Sequence, residues 1–81
     1  MNVRLFARLR EIAGNAEVAR DVPPGSTVAV VWRTLVDEYP ALSPYERSIS
    51  SAVNAEYARM TDTLGEGDEV AFLPPVSGGC L

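Results

Sequence analysis

The chain has no histidine and no lysine; all seven basic residues are arginines (Arg4, Arg8, Arg10, Arg20, Arg33, Arg47 and Arg59). Without histidine there is no imidazole base, and the commonest transition-metal ligand is missing. Without lysine there is no Schiff-base amine and no side chain that accepts an acyl group as an isopeptide. A single cysteine, Cys80, excludes a disulfide framework and a cysteine-clustered metal site. No apolar run approaches the roughly 18 residues of a membrane span, and the N-terminal stretch lacks the apolar segment of a signal peptide. A cytoplasmic location is the expectation. Together these absences argue against a self-contained enzyme and for a binding or carrier module.

What is present suits one small domain. With 47% hydrophobic and 22% charged residues, 81 residues can bury a core, though a thin one. Residues 1–20 set four arginines against Glu11 and Glu17, a balance of +2, whereas residues 21–81 set three against nine acids, a balance of −6. A net charge of −4 speaks against nucleic acid or an anionic membrane as partner. It favours a basic protein surface and keeps a small protein soluble.

Val3–Leu9 alternates with period two, which predicts a strand with Val3, Leu5, Ala7 and Leu9 buried and Arg4, Phe6 and Arg8 on the other face. Gly14-Asn15 marks a turn, and Ala16–Val22 reads as a second strand pairing back antiparallel. After Pro23-Pro24-Gly25, Ser26 or Thr27 offers a capping hydroxyl. Val28, Val31, Trp32, Leu35 and Tyr39 then recur at helical spacing until Pro40, with Trp32 expected at the edge of the stripe. Leu42–Pro44 reads as a short irregular or single-turn piece. Ser51–Asn54 and Tyr57–Met60 read as strands joined at Ala55-Glu56. Glu69–Leu73 is a last strand with Val70 and Phe72 on one face and Ala71 and Leu73 on the other. The order predicts an α+β fold: a mixed four- to five-stranded sheet with one main helix on one face, and first and last strands parallel neighbours. This is the β-grasp, or ubiquitin-like, arrangement, spanning residues 1–75.

Residues 76–81 read as a flexible tail. Pro74 and Pro75 fix an extended exit, and Gly78-Gly79 forms a stretch without side chains, able to thread a channel too narrow for a Cβ. A terminal glycine carboxylate is a chemical handle: adenylation makes it a mixed anhydride, from which a thiol or persulfide displaces AMP. The acidic turn Glu66, Asp68, Glu69 reads as a solvated turn, and no metal is assigned.

The run Gly67-Asp68-Glu69-Val70-Ala71-Phe72-Leu73-Pro74-Pro75-Val76-Ser77-Gly78-Gly79 resembles the C-terminal signature of the molybdopterin synthase small subunit, the MoaD-type sulfur carriers of the MoaD/ThiS family. Val3–Glu11 and Ala52-Val53-Asn54 resemble that family too. Thiamine-pathway carriers share the fold and the Gly-Gly end but usually not the Phe-Leu-Pro-Pro approach. The resemblance implies that Gly79 is adenylated by a ubiquitin-activating-like adenylyltransferase, which uses the ATP, and is then converted to a thiocarboxylate. Val76, Ser77 and Gly78 would form the tail threaded into the synthase large subunit, where sulfur passes to cyclic pyranopterin monophosphate. The chain itself would be a non-catalytic subunit with no bound cofactor. Phe6 and Leu73, with Tyr57 as a third member, are expected to form an exposed apolar patch through which the partner docks.

Gly79 is followed by Cys80 and Leu81, which activation at Gly79 requires to be removed. Trimming by a processing protease, a paralogue that is never activated, and a persulfide on Cys80 are the three explanations. Two other readings of function stand beside the first: a sulfur carrier for thiamine, tRNA thiolation or cysteine synthesis, and a non-activated ubiquitin-like interaction module or modifier.

Overall fold

Strand β1 (Asn2–Leu5) turns Val3 and Leu5 inward and Arg4 outward, as its alternation demands, in a computed structural model that describes residues 1–75. The strand stops there. Ala7–Ala13 is a helix, α1, rather than the continuation of the strand. Alternation and helical spacing coincide over this stretch, because Leu9 and Ala13 stand four apart and both are buried. Good helix formers (Ala, Arg, Leu, Glu), an Arg8–Glu11 contact at 2.9 Å and Gly14 in the left-handed region at φ 79° decide for the helix. The Gly14 N–H donates to the Arg10 carbonyl at 2.8 Å and closes it. Ala7 and Arg8 are therefore exposed on helix α1 and not part of the sheet.

Strand β2 (Glu17–Ala19) is shorter than expected and pairs antiparallel with β1. Helix α2 (Val28–Glu38) follows, burying Val28, Val31, Trp32 and Leu35. Thr27 occupies the cap position, but neither expected hydroxyl caps the helix: Ser26 Oγ donates to the Pro23 carbonyl at 2.7 Å. The first amides are satisfied by chain instead, Val28 N–H by the Asp62 carbonyl at 3.0 Å and Ala29 N–H by that of Met60 at 2.9 Å. Pro40 ends α2 and opens a 3-10 helix, Pro40–Tyr45, which buries Leu42. The three remaining strands are β3 (Ser50–Val53), β4 (Glu56–Ala58) and β5 (Glu69–Leu73).

The sheet order is β2-β1-β5-β3-β4, with β1 and β5 parallel and the other pairs antiparallel. This is the β-grasp arrangement. Its covered face carries Val3 opposite Val70 and Leu5 opposite Phe72, and α2 packs on it. Each fully buried side chain of this size contributes about 1.5–3 kcal/mol relative to exposure. Trp32 is core rather than edge: it is buried, with its ring centroid 5.0 Å from that of Phe72. Its Nε1–H finds no acceptor among the described residues, a cost of about 1–3 kcal/mol that the ring's packing outweighs.

Candidate functional site

The other face of the sheet is open, and the strand register sets its geometry. Arg4 lies opposite Ala71, Ala71 opposite Ala52, and Ala52 opposite Tyr57, a row crossing four strands. Two methyl groups between a guanidinium and a phenol leave a depression. One step along the strands, Leu73 stands opposite Ser50. Phe6 prolongs β1 by one hydrogen bond, its N–H donating to the Phe72 carbonyl at 3.3 Å. Ala7, at φ 52°, then turns the chain into α1, so Phe6 remains on the open face at the end of its strand.

The result is a pair of adjoining hollows. One, of about 280 Å³, has Ala52, Ala55 and Ala71 as floor and Arg4 and Glu69 on its rim. The other, of about 380 Å³, lies at the tail exit against Ala7, Ser50, Pro74 and Pro75. Phe6, Tyr57 and Leu73 line both. The structure thus brings together Phe6 and Leu73, which alternation singled out, and Tyr57, expected as the third member of the patch. Tyr57 is 84% exposed and Phe6 37%, while Leu73 is half-buried. The Arg4 guanidinium sits 5.4 Å from the Phe6 ring centroid, close enough for cation–π attraction to hold both side chains in place.

Around the rim the polar groups are tied down. Asn2 Nδ2 donates to Glu69 at 2.7 Å and to Glu17 at 3.2 Å. Asp68 accepts from the Gly65 N–H at 2.8 Å and from Asn54 Nδ2 at 2.9 Å. These donors hold its carboxyl below the usual carboxylate range, the Gly65 amide first and the Asn54 amide second. Arg4 makes no ion pair among the described residues. Apolar and aromatic groups beside an unpaired arginine make a surface suited to docking.

The sequence did not disclose the alanine floor. Its signal is weak: Ala52 and Ala71 are small residues on strands, which only the register shows to be neighbours. Alternation puts Arg4 and Phe6 on one face, and the structure adds their contact and Glu69 on the rim. Gly79, Val76, Ser77, Gly78, Cys80 and Leu81 lie outside the described residues; Pro75, the last described residue, lines the hollow at the exit.

Known proteins share the sequence and the fold along nearly the whole chain. The chain is 35% identical over 79 residues to the molybdopterin synthase sulfur carrier subunit of Arabidopsis thaliana, covering 98% of this chain and 82% of that protein. It is 38% identical over 88 residues to small archaeal modifier protein 1 of Haloferax volcanii, covering 98% of this chain and all of that one. A crystal structure of the Haloferax volcanii protein superposes with a TM-score of 0.81 at 36% identity, over 96% of this chain and 97% of that one. The sequence model of the ThiS family matches residues 3–79, from the first inward residue of β1 to the second glycine of the tail. The chain belongs to the ThiS family.

Proposed function

We propose that this protein is the sulfur carrier subunit of a molybdopterin synthase, acting through the carboxyl group of Gly79. The observation that carries the reading is the extent of the family match, which runs from residue 3 to residue 79 and so ends on the glycine the chemistry requires. The fold supports it. β5 is held between β1 and β3, and Pro74-Pro75 carries the chain outward from this rigid strand beside an apolar hollow. The relatives named as molybdopterin synthase sulfur carrier subunits match along nearly the whole chain.

The cycle begins when a processing protease removes whatever follows Gly79. A ubiquitin-activating-like adenylyltransferase joins the Gly79 carboxylate to AMP from ATP, releasing pyrophosphate. A persulfide sulfur displaces AMP to give an acyl disulfide. A second thiol attacks the donor's sulfur, so that the S–S bond breaks, a disulfide forms on the donor and the thiocarboxylate leaves on Gly79. The synthase large subunit docks on Phe6, Tyr57 and Leu73 and receives Val76, Ser77, Gly78 and the loaded Gly79. There the sulfur passes to cyclic pyranopterin monophosphate. Catalytic side chains belong to the large subunit; this chain supplies the sulfur-bearing carbonyl, its orientation and the docking energy.

ATP–pyrophosphate exchange with the cognate adenylyltransferase tests the reading. The chain ending at Gly79 should support exchange, and Gly79→Ala should lower the rate by about a hundredfold, because an added methyl displaces the reacting carbonyl. Exchange unaffected by Gly79→Ala contradicts the assignment.

A second reading has its own support, the 38% identity to small archaeal modifier protein 1 over that protein's full length. As a modifier, the chain would pass the same activated Gly79 to an amine of another protein. Conjugates of this chain in extracts of its host, abolished by Gly79→Ala, would favour that reading.

A further inference from the structure

We infer that the body of this protein is arranged so that an activated Gly79 meets no primary amine of its own chain and is not lost to self-acylation. The inference rests on the reading that Gly79 is activated.

An acyl adenylate or thioester reacts with unprotonated amines, so any lysine near the tail of such a carrier is a side reaction. Here seven positive charges are carried without a single amine, all of them as guanidinium groups that stay protonated and are poor acyl acceptors. The amine of Met1 is kept by the fold at the end of the sheet away from Pro75. It donates to the Arg20 carbonyl at 3.0 Å, while the Arg20 N–H donates back to the Met1 carbonyl at 3.0 Å.

β1 and β5 run parallel, Asn2 beside Glu69 and Leu5 beside Phe72. Met1 is therefore at one end of the sheet and the tail exit at the other, where Pro75 shares a hollow with Phe6 and Ala7. Five residue steps of extended chain from Met1 to Phe6 span about 16 Å. The four residues from Pro75 to Gly79 reach at most about 14 Å when fully drawn out. The tail is too short to bring its carbonyl back to that amine. Arginine at the exit end and a tethered amine at the far end give the same outcome by separate means.

The test installs the activation chemically, so its outcome does not depend on any activating enzyme. The chain ending at Gly79 is prepared as a C-terminal thioester and incubated at mildly alkaline pH, with products followed by intact mass and denaturing gel. If a lysine is present, its Nζ attacks the Gly79 carbonyl; the C–N bond forms, the C–S bond breaks, the thiol leaves and the amine proton passes to solvent. The wild-type chain should give thioester and hydrolysed acid alone. Arg8→Lys, beside Ala7 on exposed helix surface, and Ser50→Lys, across the exit from Pro75, should each give a cyclic isopeptide lighter than the acid by one water. An effective concentration of about a millimolar makes the cyclic product exceed covalent dimer by roughly a thousandfold at micromolar protein. Arg20→Lys, at the Met1 end, should give no cyclic product. Cyclisation of the wild type or of Arg20→Lys overturns the inference. So does failure of both exit-side variants to cyclise while they keep the wild-type melting temperature.

Discussion

Tyr57, which is exposed, and Asp68, which is half-buried, behave very differently. Tyr57 is 84% exposed and packs little against its own protein, so Tyr57→Ala should change stability by no more than about 0.5 kcal/mol. If it anchors docking, the same substitution weakens binding of the large subunit by about 2 kcal/mol or more, measured by titration calorimetry; unchanged affinity removes Tyr57 from the interface. Asp68 instead ties the Gly65–Gly67 turn to Asn54 at the hairpin between β3 and β4. Its folded-state pKa is depressed, so its stabilising effect is present above the unfolded-state value and is lost as pH falls through the folded-state value. Asp68→Ala should therefore melt below the wild type at neutral pH, and the gap should close in acid. A gap that does not change with pH excludes the ionised carboxylate as its source. The carboxylate was legible in the sequence as part of an acidic turn, but its partner was not, since Asn54 is 14 residues away.

At the scale of elements, two local conflicts explain where the sequence misled. Leu5 and Leu9 satisfy both a strand and a strand followed by a helix. The break between them is Ala7 in the left-handed region, a conformation alanine disfavours and the alternation does not announce. The hairpin between β3 and β4 is a similar case. Val53 pairs with Glu56 across a two-residue loop, with Asn54 at φ 52° and Ala55 at φ 70°. Such a loop prefers Asn-Gly, and an alanine in the second place hides the signal, which is why the turn reads one residue late. Ala55→Gly should relieve left-handed strain and raise stability by about 1 kcal/mol, read from urea denaturation. A loss of stability means that the conformation of Ala55 is unstrained. By contrast β5, with its alternation bounded by Gly67-Asp68 and Pro74-Pro75, was readable residue by residue, because every local signal there agrees with the fold.

For the molecule as a whole, the parallel pairing of first and last strands follows from chain order and the handedness of crossovers. The open face was half legible. Alternation gave Phe6 and Leu73, whereas the hollows beside them and the place of Tyr57 come from the cross-strand register, which no single strand contains. That register also joins the open face to the end of the described chain: the strand that carries Ala71 and Leu73 into this face is the one that ends in Pro74-Pro75. On the proposed function, a body without histidine or lysine presents one glycine carbonyl to another protein's pocket. Intact-mass spectrometry of the protein purified from its native host tests it most directly. The expected result is a chain ending at Gly79, part of it heavier by the replacement of one oxygen with sulfur. A population that keeps Cys80 and carries no sulfur on Gly79 under every growth condition contradicts it.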